Sequence, residues 1–183
     1  MNNKVKKFES ENRLKELNVN KTLNNLGINK DSNFLDYGAG TGIFTIPASH
    51  ISKNTVFAYD INEDMLKIIK NKISKNGLKN IKLLGKEHEL LSISPNSISD
   101  ILLVTVYHEL KNVENLFMHF DKLLNVDGKV HIIEFHYKET PSGPPLNHRI
   151  SKEKILNEFK ENNYKLYKEI NLGDNYYLVT FTK

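Results

Sequence analysis

An apolar run that halts at a cluster of glycines, Phe34-Leu35-Asp36-Tyr37-Gly38-Ala39-Gly40-Thr41-Gly42-Ile43, constrains this chain more than any other feature. Glycine supplies the backbone conformations that a tight turn and a close approach to a ligand require, and the segment starting directly after it has the apolar character of a helix. The next apolar run, Thr55–Tyr59, is closed by Asp60, about 20 residues beyond the turn. There the second strand of a βαβ unit ends, and a carboxylate at that point accepts hydrogen bonds from ribose hydroxyls. The pair reads as a nucleotide-binding turn. A dinucleotide fingerprint needs a third glycine where Ile43 stands, so an NAD-dependent oxidoreductase is the lesser reading.

The rest of the chain repeats the same order. Strands are expected at residues 33–37, 55–59, 81–84, 100–105 and 129–135, with helices at 43–52, 62–75 and 113–124 between them. Asn62 reads as an N-cap, and Asn76-Gly77 and Asp127-Gly128 as closing turns. Short, nearly continuous apolar strands alternating with amphipathic helices imply a parallel sheet covered on both faces. The helix around Met65, Leu66, Ile68, Ile69 and Ile73 presents Lys67, Lys70, Lys72 and Lys75 as its solvated face. After a helix capped by Ser151, residues 165–170 and 176–182 are separated only by Leu172-Gly173-Asp174-Asn175, a spacing that predicts an antiparallel hairpin. The expected fold class is α/β: a Rossmann-like, doubly wound, mostly parallel seven-stranded sheet with a C-terminal antiparallel hairpin.

Length and composition narrow the classes. At 183 residues the chain fits one domain, residues 1–183, with a helical lead-in over 1–30. With 39% hydrophobic and 26% charged residues, and no apolar run near the roughly 18–20 residues of a membrane span, it reads as soluble, and its polar, basic start is no signal peptide; a cytoplasmic protein is expected. The absence of cysteine excludes thiolate metal sites and cysteine nucleophiles. A net charge of +4 arises from dispersed lysines, with Arg13 and Arg149 as the only arginines, so nucleic acid is a disfavoured partner.

These motifs together resemble the class I S-adenosylmethionine-dependent methyltransferases. Within them, Asp127-Gly128-Lys129-Val130 leading into Ile132-Ile133-Glu134-Phe135, and then Gly143-Pro144-Pro145-Leu146-Asn147-His148-Arg149, is similar to small enzymes related to the ubiquinone and menaquinone C-methyltransferases. The resemblance implies S-adenosylmethionine as cofactor and a small-molecule acceptor methylated by direct displacement. It also implies a cofactor site of Asp36, Gly38, Ala39, Gly40 and Gly42 at the turn, Asp60 and Ile61 for ribose and adenine, and Glu87 (beside Lys86 and His88) after the third strand. Val104, Thr105 and Tyr107 fall at the end of the fourth strand, beside the sulfonium and the acceptor.

Other residues carry two readings. His108, next to Tyr107, is a candidate general base, or a histidine that packs at a strand end and orients a loop; Tyr107 is a candidate for positioning the acceptor. Arg149 and His148, in a loop over 137–150 that suits a substrate lid, are candidates for clamping an acidic acceptor, or Arg149 simply ties that loop to the sheet. The spacing of His88, His108, His136 and His148 matches no metal motif, so no metal is expected. A cofactor-binding accessory or sensor protein without transfer activity remains the alternative from another class. The sequence leaves the oligomeric state open, a homodimer included.

Overall fold

The computed structural model describes residues 3–183. Three short helices lead in: α1 (Asn3–Phe8), α2 (Glu11–Leu17) and α3 (Val19–Leu26). Asn18, in the left-handed region at φ 36°, ends α2 and begins α3, so the lead-in folds back on itself at one residue. The βα alternation then runs β1 (Phe34–Tyr37), α4 (Thr45–Ile51), β2 (Val56–Tyr59), α5 (Glu63–Asn76), β3 (Ile81–Leu84), α6 (Glu87–Leu90), β4 (Ile98–Val104), α7 (Val113–Leu123) and β5 (Leu124–Phe135). The chain finishes with α8 (Lys152–Glu161), β6 (Lys165–Asn171) and β7 (Tyr176–Thr182).

The caps follow from the residues at the boundaries. The Asn62 side chain accepts from the Asp64 amide at 3.0 Å, and Gly77 closes α5 at φ 61°. Ser151 Oγ accepts from the Lys154 amide at 3.2 Å at the start of α8. Each satisfies backbone groups that a helix end leaves without intrahelical partners.

The seven strands form one sheet in the order β3-β2-β1-β4-β5-β7-β6. Strands β1 to β5 are parallel, and β7 runs antiparallel to both β5 and β6. The chain leaves β1 toward β2 and β3, then returns to place β4 on the other side of β1. A crevice therefore opens beyond the carboxyl ends of β1 and β4, the topological switch point where such sheets bind ligands. Residues alternate between two cores along each strand. Leu35, Ile101, Leu103 and Ile132 join Phe117, Phe120 and Phe159 on one face, while Phe34, Leu102 and Ile133 join Leu23, Phe44 and Ala48 on the other. Phe159 stacks on Phe181 with centroids 3.8 Å apart, which fastens α8 to the hairpin.

Three local expectations are corrected. The Asp127-Gly128 turn is no break between elements: β5 begins directly after α7, and residues 125–128 form an irregularity between the pairs Ile98↔Leu124 and Asp100↔Lys129. Thr105, expected to end the fourth strand, lies beyond the end of β4. Lys72 does not belong to the solvated face of α5: its Nζ donates to Glu9 Oε1 at 2.6 Å and to the Thr41 carbonyl at 2.8 Å, tying the lead-in to the glycine turn.

Candidate active site

The glycine turn is built by close contacts. Gly38, Gly40 and Gly42 all have positive φ, at 78°, 54° and 78°. The amides of Gly38 and Ala39 both donate to the Tyr59 carbonyl, at 2.7 and 2.9 Å, so the end of β2 folds the turn back over the crevice. A side chain at Gly38 would meet Val106 at 2.4 Å and one at Gly42 would meet Ile69 at 3.0 Å, whereas one at Gly40 would meet nothing within 4 Å. Gly38 and Gly42 thus permit backbone packing, and Gly40 keeps the floor of the crevice open.

The crevice is a cleft of about 840 Å³. Asp60 stands at one end, its carboxylate fixed by the amides of Gly40 (2.7 Å) and Asn62 (2.8 Å). Ile61 is 79% exposed beside it, an apolar side chain left in the open next to a cavity. Asp36 is buried under the turn and accepts a 2.6 Å bond from Thr45 Oγ1. Burial, and after it the nearby charge of Asp60, raise the Asp36 carboxyl to about 7 although the Thr45 bond opposes them. Ala39 and Val104 also line the cleft.

The lead-in helices, which no sequence motif marked, also reach the cleft. Phe8 of α1 and Arg13 of α2 line the cleft. Arg13 donates from Nη1 to the Tyr176 hydroxyl and from Nη2 to Thr105 Oγ1, both at 3.0 Å. Its Nε is buried without a partner, as is the hydroxyl of Thr41 nearby. Thr105 is held at φ 55°, a conformation a β-branched residue rarely adopts, and such outliers gather at functional sites. A lone arginine in a polar helix carries no periodic signal; only the fold brings it within reach of β4 and β7.

The candidate residues divide between two cavities. His108 and Tyr107 line a second cavity of about 380 Å³ with His148, Arg149, Lys154 and Glu158, and not the cleft. Tyr107 is buried, with its hydroxyl donating to Glu158 at 2.7 Å. His108 Nδ1 lies 2.9 Å from both oxygens of Glu134, a buried carboxylate at the end of β5. Burial works against the imidazolium, but the bond to Glu134 and its charge outweigh it, and the pKa of His108 is raised. Arg149 donates from Nε to the Pro144 carbonyl (2.9 Å) and from Nη1 to those of His136 (2.9 Å) and Lys138 (2.8 Å), with its guanidinium 5.2 Å from the Phe135 ring. These bonds organise the 137–150 loop itself. Glu87 also lies outside the cleft, 3.0 Å from His119 Nε2, while Glu89 accepts from the Gly85 and Lys86 amides at 2.6 and 3.0 Å. Gly42 supports the turn from beneath without lining the cleft.

The sequence model described as the ubiE/COQ5 methyltransferase family matches residues 1–146. A ribosomal protein L11 methyltransferase of Lactobacillus acidophilus is 30% identical over 138 residues; the match covers 72% of this chain, which spans 37% of that relative. Among solved structures, a SAM-dependent methyltransferase from Aquifex aeolicus superposes with a TM-score of 0.89 at 22% identity, covering 97% of this chain and 96% of that one. The [4+2]-cyclase SpnF superposes with a TM-score of 0.77 at 12% identity, over 92% and 80% of the two chains.

Proposed function

The chain belongs to the ubiE/COQ5 methyltransferase family, and we propose that it transfers the methyl group of S-adenosylmethionine to a small-molecule acceptor by direct displacement. When bound, that cofactor supplies a methyl carbon already made electrophilic by the sulfonium. The task left to the protein is to hold and align the two partners and exclude water.

The cleft residues suit that task. Asp60 uses two lone-pair positions on backbone amides and keeps others for ribose hydroxyls, and Ile61 offers an apolar face to a purine. The open space over Gly40 admits the ligand close to the backbone. Asp60, Glu63 and Glu109 give the cleft an acidic lining that favours a cationic cofactor.

The observation that carries the small-molecule reading is the size of the cleft that Phe8 and Arg13 help to line. The cleft has a volume of about 840 Å³, within the roughly 300–1,000 Å³ range of small-molecule sites. For a base role, His108 Nε2 has to take its proton from an acceptor that reaches the second cavity. His108→Ala then lowers turnover with cofactor affinity intact, and unchanged turnover removes it from the mechanism.

The test has two parts. Titration with S-adenosylhomocysteine, S-adenosylmethionine and NADH should give tight binding of the sulfur cofactors that weakens at least tenfold in Asp60→Ala; preference for NADH sinks the reading. Methyl-labelled cofactor is then incubated with the metabolite and the protein fractions of an extract. Label in small molecules supports the proposal, and label confined to protein assigns a macromolecular acceptor. Tight binding with no transfer favours an accessory or sensor role, a reading the cyclase on this fold keeps in view because fold does not fix chemistry.

A further inference from the structure

We propose that the methyl acceptor is an organic acid whose carboxylate is received by Arg13; the inference rests on the transfer reading above. Arg13 is the only cationic side chain among the described residues lining the cleft, where Asp60, Glu63 and Glu109 supply the opposite sign. Its guanidinium is aimed by two hydrogen bonds, to Thr105 Oγ1 and the Tyr176 hydroxyl at 3.0 Å each, and rests 5.4 Å from the Tyr176 ring and 5.9 Å from the Phe8 ring. Among the described residues, the buried Nε hydrogen has no acceptor. A buried donor without a partner costs free energy, and guanidinium N–H groups match the geometry of a carboxylate better than that of any neutral acceptor.

Strand order favours the acceptor over the cofactor as the source of that carboxylate. Asp60 and Ile61 lie at the end of β2 and the glycine turn lies over β1, so a nucleoside occupies the β2–β1 half of the sheet edge. Arg13 bridges Thr105, after β4, and Tyr176, on β7, with the Phe135 ring of β5 packed at a tilt against Tyr176, centroids 4.8 Å apart. That is the half of the edge away from Asp60. Phe8, Phe44, Val106 and Leu110 give the cleft apolar walls. An acid with a flat or aliphatic body fits both features. The cofactor's own carboxylate has the same chemistry, and the experiment separates the two sources.

Labelled transfer is run on metabolites split by anion exchange into retained acids and unretained neutral or cationic compounds, with the parent protein, Arg13→Gln and Arg13→Lys, each also titrated with S-adenosylhomocysteine. The expected result is label in the retained fraction, a loss in kcat/KM of at least tenfold in Arg13→Gln, partial recovery in Arg13→Lys, and S-adenosylhomocysteine affinity within twofold of the parent in both. Near-parent cofactor affinity also reports that the variants are folded. Label in the unretained fraction overturns the proposal. So does a loss of S-adenosylhomocysteine affinity in Arg13→Gln equal to the loss of turnover, which assigns Arg13 to the cofactor's carboxylate. Cofactor binding with no label in either fraction overturns the transfer reading and this inference with it.

Discussion

Asp36 and Gly38, two positions apart, show how one turn serves stability and binding in opposite ways. The raised Asp36 pKa means that the folded protein holds a proton the unfolded chain releases. Its contribution to stability is therefore full below the unfolded carboxylate value of about 4 and is lost as pH rises through about 7. Asp36→Asn should stabilise the ligand-free protein at pH 8, by roughly 2 kcal/mol or more, and change it little at pH 4, read from urea midpoints. The same variant should weaken binding of the cationic cofactor, since a buried carboxylate regains favour beside a positive charge. A variant stabilised equally at both pH values would contradict the burial account. Gly38→Ala should cost about 2 kcal/mol or more, because the new Cβ meets Val106 at 2.4 Å in a backbone held at φ 78°. Gly40→Ala meets no neighbour, so it should perturb binding more than the folding midpoint.

Between elements, β4, β5 and β7 are joined by more than the ladder. His131 on β5 is fully buried, with Nε2 3.2 Å from Asp100 Oδ1 on β4 and Nδ1 2.9 Å from Thr180 Oγ1 on β7. The Asp100 carboxylate takes the Nε2–H, which leaves Nδ1 to accept from the threonine hydroxyl. Burial, against the opposing pull of Asp100, lowers the pKa of His131. A histidine depressed in the folded state binds fewer protons there than when unfolded, so stability should fall as pH drops below about 6.5. His131→Gln should flatten that fall between pH 7 and pH 5.5 in denaturant titrations, and an unchanged slope would remove His131 as its source. The type and order of these elements were legible in the sequence, because apolar periodicity and caps are local properties. Where elements met without punctuation the reading failed. The junction of α7 with β5 contains Asp127-Gly128, a turn signal that the register irregularity absorbs inside a strand.

At the scale of the molecule, the lead-in helices and the sheet edge together make the site. Lys72 of α5 links Glu9, at the end of the lead-in's first helix, to the Thr41 carbonyl in the glycine turn. Asn175, before β7, donates to Glu16 Oε2 at 2.6 Å and accepts from the Ser142 amide at 3.0 Å, so α2 and the 137–150 loop share one anchor. A ligand bound between these parts should stabilise the whole by mass action: S-adenosylhomocysteine at a hundred times its Kd adds about 2.7 kcal/mol, raising Tm. Lys72→Ala should cost about 1 kcal/mol for this half-buried pair and reduce that ligand-induced rise by loosening the cap over the cleft. An undiminished rise would show that the cap does not act through this link. The order of residues dictated the glycine turn, Asp60 at its distance from it, the parallel sheet and the closing hairpin, since each is set by spacing along a few dozen residues. Tertiary structure alone decided that Arg13 meets Tyr176 and Thr105, that Glu134 holds His108, and that His108 and Arg149 face a cavity separate from the cleft. Those contacts join residues remote in the chain and depend on how helices settle on the sheet, and no local pattern encodes that arrangement.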